Sequence, residues 1–165
     1  MLELQQAVQQ ATSLYHQLVI VAAPPRSGKT ALLQKFAAAH ACPLVNVNLE
    51  LSRRLLEHSR AQRPRYVASL LRELIANASG PVVVLDNLEI LFDTSLEVEP
   101  LRLLQTCSRQ RTLVVSWNGT LRQGMLEYAE PGHPEHVCLS QLKPSDALLL
   151  TISPAGSQPS KVTAP

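Results

Sequence analysis

The sequence predicts an α/β fold in which a mostly parallel sheet of five strands lies between two layers of helices. Two observations support this prediction. Short apolar runs rich in β-branched residues alternate with longer segments of helical periodicity, which is the pattern of βαβ units. The chain has 165 residues, a length that suits one domain built around a single hydrophobic core.

Periodicity and turn residues set the boundaries of the elements. The predicted strands are residues 18–22, 43–51, 82–86, 112–117 and 136–140. The predicted helices are residues 2–16, 28–40, 52–78 and 101–109, and the third is one helix or two because Pro64 interrupts it. Asn118-Gly119 is a turn pair that ends the fourth strand. We therefore expect one domain over residues 1–150 and a disordered tail, rich in Pro and Ser, over residues 151–165.

Residues 23–30, APPRSGKT, match the phosphate-loop pattern G-x-x-x-x-G-K-[ST] at every defined position except the first. A buried apolar strand precedes them and a helix follows, which is the context that this loop requires. Gly28 lets backbone amides converge on an anion, the Lys29 ammonium reaches the β and γ phosphates, and the Thr30 hydroxyl ligates magnesium. The sequence therefore predicts binding of ATP with Mg²⁺. The residues assigned to the nucleotide are Ala23, Pro24, Pro25, Arg26, Ser27, Gly28, Lys29 and Thr30.

The first half of this loop departs from the pattern. Ala23 stands where the pattern has glycine, and Pro24 and Pro25 have no amide hydrogen to donate. We expect the phosphate donors to come from residues 27–30, which are intact. The competing interpretation is a chance match in a turn before a helix. GTP is disfavoured because the sequence has no N-K-x-D guanine signature.

The third strand, VVVLD at 82–86, ends in an acid. Phosphate-loop proteins use an aspartate at this position to hold magnesium, so Asp86 and Thr30 are the candidate metal ligands. The alternative for Asp86 is a turn-forming residue. Asn87 occupies the position that often carries a catalytic glutamate, and it cannot act as a base. Glu89 is the candidate base, or else a solvated side chain. The sequence thus favours slow turnover or a nucleotide-dependent switch over a fast motor.

Polar residues also end the fourth strand. In an additional-strand ATPase sheet this strand lies between the loop strand and the Asp86 strand, so Ser116 and Asn118 are candidates to contact the γ-phosphate or water; a turn with Gly119 is the alternative for Asn118. Arg122 follows in the region of an arginine finger, with a solvated arginine as its alternative. Arg102, Arg109 and Arg111 precede the strand, and we expect them near the opposite edge of the sheet. The fold class is therefore a three-layer phosphate-loop (P-loop) NTPase, similar to AAA+ proteins, without a C-terminal lid domain.

The composition excludes other classes. A net charge of +2 and a pI of about 8.6 exclude a nucleic-acid binder that works by bulk attraction, although local clusters such as the arginines of residues 53–65 remain possible partner contacts. Cys42, Cys107 and Cys138 lack metal-ligand spacing, and we expect free, buried thiols. No apolar stretch approaches the ~18 residues of a membrane helix, and residues 1–17 lack the features of a signal peptide. We expect a soluble, cytoplasmic protein.

Several blocks together resemble the BrxF family, the small phosphate-loop proteins of type 3 BREX anti-phage systems. The blocks are LVIVAAPPRSGKTALL, VNVNLELSRRLLE, VVVLDNLEILFD, PLRLLQTCSRQRTLVVSWNG and YAEPGHPEH. The resemblance implies a predicted ATPase of bacterial defence, beside a larger ATPase, a DNA methyltransferase, a helicase and an alkaline-phosphatase-like protein. It implies that Gly28, Lys29 and Thr30 bind nucleotide and that Asp86 holds the metal. A homo-oligomer and a contact with DNA stay open.

Three functional classes compete. The first is an ATPase or nucleotide switch that assembles with itself or with partners. The second is a small-molecule kinase, which requires an arginine-rich lid late in the chain, whereas here the arginines cluster between the second and third strands. The third is an interaction module that binds ATP without hydrolysis, for which Asn87 is the supporting feature.

Overall fold

The computed structural model describes residues 1–122, 125–129, 133–139, 142–143, 145–152 and 160–161. The helices are α1 (Leu2–Ala11), α2 (Lys29–Ala39), α3 (Val47–Leu55), α4 (Arg63–Asn77) and α5 (Pro100–Cys107). The strands are β1 (Leu18–Ala23), β2 (Leu44–Asn46), β3 (Val82–Asp86), β4 (Thr112–Arg122), β5 (Met125–Tyr128), β6 (Val137–Leu139), β7 (Leu148–Thr151) and β8 (Ser160–Lys161). Two 3-10 helical turns, Glu89–Phe92 and Thr94–Leu96, follow β3.

The central sheet has the strand order β2-β3-β4-β1-β7-β8. Strands β2, β3, β4, β1 and β7 run parallel, and β8 pairs antiparallel with β7. The prediction of a mostly parallel α/β sheet is therefore confirmed. The expectation that the fourth strand separates the loop strand from the Asp86 strand is also confirmed, because β4 pairs with both β1 and β3.

Helices cover both faces of this sheet. On β1, Leu18, Ile20 and Ala22 face a core completed by α3, α4 and α5. Val19 and Val21 face the opposite core, completed by α1 and α2. All six residues of β1 are buried, as expected of a parallel strand covered on both sides. The sheet therefore separates two apolar cores.

The identity of the fifth parallel strand was predicted wrongly. Residues 136–140 were expected there, but β6 (Val137–Leu139) pairs antiparallel with β5 in an extension of the sheet. The fifth parallel strand is β7, whose leucines 148 and 150 are buried beside β1. Leucine favours helix as readily as strand, so this run carried no β-branched signal.

The predicted second strand was too long. Only Leu44–Asn46 form β2, and Asn46 caps the helix that follows by accepting a hydrogen bond from the Leu49 amide at 3.0 Å. Val47, Leu51 and Leu55 then lie at intervals of four residues on the buried face of α3. The alternating sequence VNVN is typical of a strand, but its first asparagine is the N-cap of α3. The strand therefore ends five residues before its predicted end.

Asn118-Gly119 does not end the fourth strand. β4 pairs with β1 as far as Asn118 and with β5 from Gly119 onward. A Cβ atom on Gly119 would lie 1.7 Å from the Glu127 carbonyl oxygen, so glycine here permits a close approach of two strands and not a turn. β4 therefore changes partners without a break.

Both ends of the chain also differ from expectation. α1 ends at Ala11, whereas the helix was predicted to extend to residue 16. Thr151 ends β7 and residues 160–161 form β8, while residues 153–159 and 162–165 of the expected tail lie outside the described residues. All three cysteines are free, as expected, but none of them is fully buried: Cys42 and Cys107 are partly exposed, and Cys138 is exposed. Among the described residues, no helix is both long and apolar enough to cross a membrane.

Candidate functional site

A pocket of about 490 Å³ opens at the carboxyl ends of the parallel strands. Residues from the loop after β1, from α2 and from the ends of β3 and β4 line it. They are Pro25, Arg26, Ser27, Gly28, Lys29, Thr30, Ala31, Gln34, Asp86, Asn87 and Asn118. Ligands of open α/β sheets bind at this edge, so the structure brings the predicted loop and the predicted aspartate to one site.

The loop conformation explains which of its residues are essential. Gly28 has φ +88° at the start of α2, and a Cβ atom there would meet nothing within 4 Å. The glycine is therefore required by the left-handed backbone and not by crowding. Ala23 lies in β1, paired with Asn118, and is absent from the residues with positive φ. Replacement of the leading glycine by alanine is thus free of backbone strain.

Lys29 is the charged centre of the pocket. Its side chain is only 5% exposed, and its ammonium donates to the Ala23 carbonyl at 2.6 Å, the Pro24 carbonyl at 2.8 Å and the Ser27 hydroxyl at 3.3 Å. Burial lowers the pKa of Lys29, and the negative charges of Asp86 and Glu89 act against that shift. The loop therefore holds a partly desolvated cation that interacts electrostatically with two carboxylates.

Asp86 and Thr30 lie on two walls of the same pocket. Asp86 ends β3, is only 3% exposed, and is paired in register with Asn46 of β2. Thr30 is exposed in the first turn of α2. A hydroxyl and a carboxylate oxygen are hard donors of the kind that Mg²⁺ takes, with water and phosphate supplying its other ligands. Among the described residues there is no group of three or more His, Cys, Asp or Glu that could hold a metal ion.

Asn87 has φ +55°, a left-handed conformation that asparagine tolerates better than most residues. Its backbone amide donates to the Ser116 hydroxyl at 3.2 Å, and its backbone carbonyl accepts from the Asn48 backbone amide at 2.8 Å. These bonds tie the end of β3 to β4 and to α3. Ser116 is therefore used to hold the backbone, and it is not among the residues that line the pocket.

Glu89 begins the 3-10 turn after β3, and its carboxylate accepts a hydrogen bond from the Asn118 side-chain amide. Asn118 lines the Lys29 pocket, whereas Glu89 lines a neighbouring cleft of about 480 Å³ between α3, α4 and the 3-10 turns. Both residues were candidates from the sequence. The structure brings them together, with Asn118 between the pocket and Glu89.

Three of the four arginines considered from the sequence have partners away from the pocket. Arg122 ends β4, and the placement of its side chain lies outside the described structure. Arg111 donates to the Ile75 and Ala78 carbonyls at the end of α4, Arg109 lies over the Tyr15 ring, and Arg102 is near Glu99. These three are engaged elsewhere, as expected from their place before β4.

Sequence reasoning missed Ala31 and Gln34 in the pocket lining and Asn48 in the neighbouring cleft. Gln34 lies one helical turn after Thr30, so its i,i+4 spacing from the loop was an available signal. Asn48, in the neighbouring cleft, follows the unrecognised N-cap of α3, so no sequence signal placed it near Asn87.

Taken together, the fold and the pocket define a mostly parallel α/β protein with a buried lysine in a strand–loop–helix turn. No protein-family model and no curated protein matches the chain. Among solved structures it is similar to the replication initiator DnaA bound to AMPPCP and single-stranded DNA, with a TM-score of 0.42 and 13% sequence identity. The match covers 68% of this chain and 35% of that chain, so the chain spans about a third of the DnaA chain it matches. A similarity this weak carries no argument about function.

Proposed function

We propose that the chain is a P-loop protein that binds ATP with Mg²⁺ and either hydrolyses it slowly or switches between nucleotide states. One observation carries the proposal. The Lys29 ammonium, buried and held by loop carbonyls, lies in a pocket whose other walls are the start of α2 and the carboxylate of Asp86. A cation, a helix N-terminus and a metal-binding carboxylate in one pocket fit a magnesium-bound polyphosphate.

The binding step follows from the donors that face the pocket. The backbone amides of residues 28–30 have no partner within α2, because Gly28 is its N-cap and Lys29 and Thr30 are its first two residues; the Ser27 amide directly precedes them. They and the positive end of the helix dipole attract the phosphates, while Lys29 contacts the β and γ phosphates. Thr30 and Asp86 hold Mg²⁺, which neutralises charge on the phosphate oxygens. Pro24 and Pro25 donate no amide hydrogen but restrict the loop to one conformation.

The hydrolytic step requires a base within reach of a water beside the γ-phosphate. Asn87 cannot serve, and its backbone is committed to Ser116 and Asn48. Glu89 is the nearest described alternative because Asn118 links it to the pocket. Its position in the neighbouring cleft supports slow hydrolysis, which a partner accelerates if it moves Glu89 toward the phosphates.

ATP binding is tested by isothermal titration in the presence of magnesium. Lys29→Ala is expected to weaken binding at least tenfold, since it removes the buried cation. Lys35→Ala is the matched control, because Lys35 is exposed on the same helix and absent from the pocket lining. Equal ATP affinity in wild type and Lys29→Ala, or affinity independent of magnesium, would contradict the proposal.

The alternative is an interaction module that binds ATP without hydrolysis. Two features favour it: Glu89 lines the neighbouring cleft and not the Lys29 pocket, and position 87 carries asparagine and not glutamate. Phosphate release distinguishes the two: tight binding with no release, alone or with partners, supports the module. A kinase is less well supported, because Arg26 is the one arginine among the described residues of the pocket lining.

The cellular role in this proposal is anti-phage defence, within an assembly of larger BREX proteins. Only the resemblance to the BrxF family supports it. The test is the plating efficiency of phage on cells that carry such a system with the wild-type chain or Lys29→Ala. If cells with either version are equally protected, nucleotide binding by this chain is not needed for defence.

A further inference from the structure

The positive charge of this protein is concentrated in one short segment. Residues 53–66 contain five arginines and one glutamate, a net charge of +4 over 14 residues. The remaining 151 residues contain ten Lys or Arg and twelve Asp or Glu, a net charge of −2. The segment comprises the end of α3, the connection to α4 and the first turn of α4. Charge separation on this scale produces a local positive surface on a nearly neutral protein.

Three of the five arginines in this segment have partners in the structure, and two have none among the described residues. Arg63 closes the connection, because its Nε donates to the Leu55 carbonyl at 3.0 Å and to the His58 carbonyl at 3.3 Å. Arg53 and Arg54 lie 3.6 Å from Glu50 and Glu73, in pairs that are largely exposed and therefore weak. Arg60 and Arg65 are exposed and make no ion pair or hydrogen bond through their side chains within the described residues.

The segment also contains an exposed aromatic residue, Tyr66. Tyr66 follows Arg65 in the first turn of α4, and its side chain is 41% exposed. The His58 ring stacks on it with centroids 4.0 Å apart and an interplanar angle of 12°. Leu56, in the same connection, is 75% exposed. The stack holds the tyrosine in one orientation while part of its ring remains open to solvent.

We propose that this surface, formed by Arg53, Arg60, Arg65 and Tyr66, binds single-stranded nucleic acid. Guanidinium groups on an exposed connection contact backbone phosphates, and an exposed, pre-oriented ring offers a stacking platform for an unpaired base. A duplex would engage the arginines but leave the ring without a base face to stack on. An acidic protein would need no aromatic platform. The surface does not include the Lys29 pocket, so this proposal does not depend on ATP binding.

The test is fluorescence anisotropy with the full chain and labelled oligonucleotides of about 20 nucleotides, as single-stranded DNA, single-stranded RNA and duplex DNA. The double variant Arg60→Ala/Arg65→Ala is expected to lose affinity for single strands at least tenfold at low salt. Loss of two phosphate contacts reduces the slope of log affinity against log salt by about 1.4. The matched control, Lys35→Ala/Arg102→Ala, removes the same charge from exposed sites outside the segment and is expected to bind as wild type.

Tyr66 separates stacking from charge. Tyr66→Ala is expected to weaken single-strand binding several-fold without changing the salt slope, and Tyr66→Phe restores it because the ring is retained. Circular dichroism checks that each variant is folded. Lys29→Ala is expected to bind oligonucleotides as tightly as wild type. A failure of the ATP-binding proposal would therefore not affect the test of oligonucleotide binding.

Four results would overturn the proposal. They are no binding to either single strand at low salt, equal losses in the double variant and its control, duplex binding as tight as single-strand binding, and binding of an acidic protein partner in place of oligonucleotides. A preference between DNA and RNA supports the proposal and identifies which strand the surface takes.

Discussion

The Asn118 side-chain amide donates a hydrogen bond to the carboxylate of Glu89. Asn118 is paired in register with Ala23, the first residue of the phosphate loop, and Glu89 begins the turn after the Asp86 strand. The bond therefore connects the two halves of the candidate site across the sheet. Glu89 lines the neighbouring cleft, and the bond keeps its carboxylate beside a residue that lines the Lys29 pocket.

Glu89→Gln is expected to reduce ATP hydrolysis at least about a hundredfold, the usual contribution of a general base, while ATP affinity changes little. Glutamine retains the hydrogen-bonding shape but cannot accept a proton. Phosphate release and titration calorimetry on the same samples measure the two effects. Glu57→Gln, at an exposed position outside the pocket lining, is the control. Unchanged hydrolysis in Glu89→Gln would place the base elsewhere.

Asn87→Glu introduces glutamate where many ATPases carry it, and we expect no gain in hydrolysis. Position 87 has φ +55°, so its side chain leaves the backbone in a different direction from a strand residue. A glutamate forced into this conformation is expected to cost about 1 kcal/mol of unfolding free energy, whereas Asn87→Gly is expected to cost less. Urea unfolding and phosphate release measure both. Faster hydrolysis at unchanged stability would show that this conformation does not restrict the position.

Gly119→Ala is expected to destabilise the protein by about 3 kcal/mol, because the new methyl group would overlap the Glu127 carbonyl and separate β4 from β5. Gly80→Ala is the control: its φ is +78° but the added atom meets open space, so only the backbone cost of about 1–2 kcal/mol applies. Urea unfolding compares the two. Equal losses would mean that the β4–β5 contact relaxes easily.

The lowered pKa of Lys29 predicts how ATP affinity varies with pH. Phosphate binding needs the charged amine, so affinity is expected to fall as pH rises through a midpoint below the ordinary lysine value of 10.5. Stability changes in the opposite direction, because the unfolded chain still holds the proton when the folded lysine has lost it, and the burial penalty is relieved.

Titrations of ATP affinity from neutral to alkaline pH test this prediction. Glu89→Gln removes one of the two charges that raise the pKa of Lys29, so its midpoint is expected at lower pH than that of wild type. Lys29→Ala should lack the transition. A midpoint that moves upward in Glu89→Gln would be inconsistent with this account.

The central strands and the loop could be predicted because their signals are local. β1 and β3 are apolar, rich in β-branched residues and buried on both faces, so short windows of sequence identify them. Gly28, Lys29 and Thr30 are neighbours in sequence, and Asp86 ends a strand whose carboxyl edge is fixed by the parallel order. Where sequence neighbours form the site, pattern and structure agree.

Features that depend on distant partners could not be predicted. The Asn118–Glu89 bond joins residues 29 positions apart, and no spacing rule relates them. Gly119 was interpreted as part of a turn because its strand partner, Tyr128, is specified only by the pairing of β4 with β5. The fifth parallel strand was missed because the position of β7 beside β1 depends on the assembled sheet. Tertiary pairing overrides local propensity at each of these places.

The Lys29 ammonium has three hydrogens, and each has an oxygen acceptor within the loop. A ligand therefore finds no free N–H on Lys29. It must displace a carbonyl or hydroxyl oxygen that already accepts a hydrogen bond from the ammonium. Only an acceptor with more negative charge than a carbonyl gains from this exchange, since charge-assisted bonds are about twice as strong as neutral ones. Under the proposed function, the buried lysine thus acts as a charge threshold that favours phosphate anions over neutral ligands of similar size.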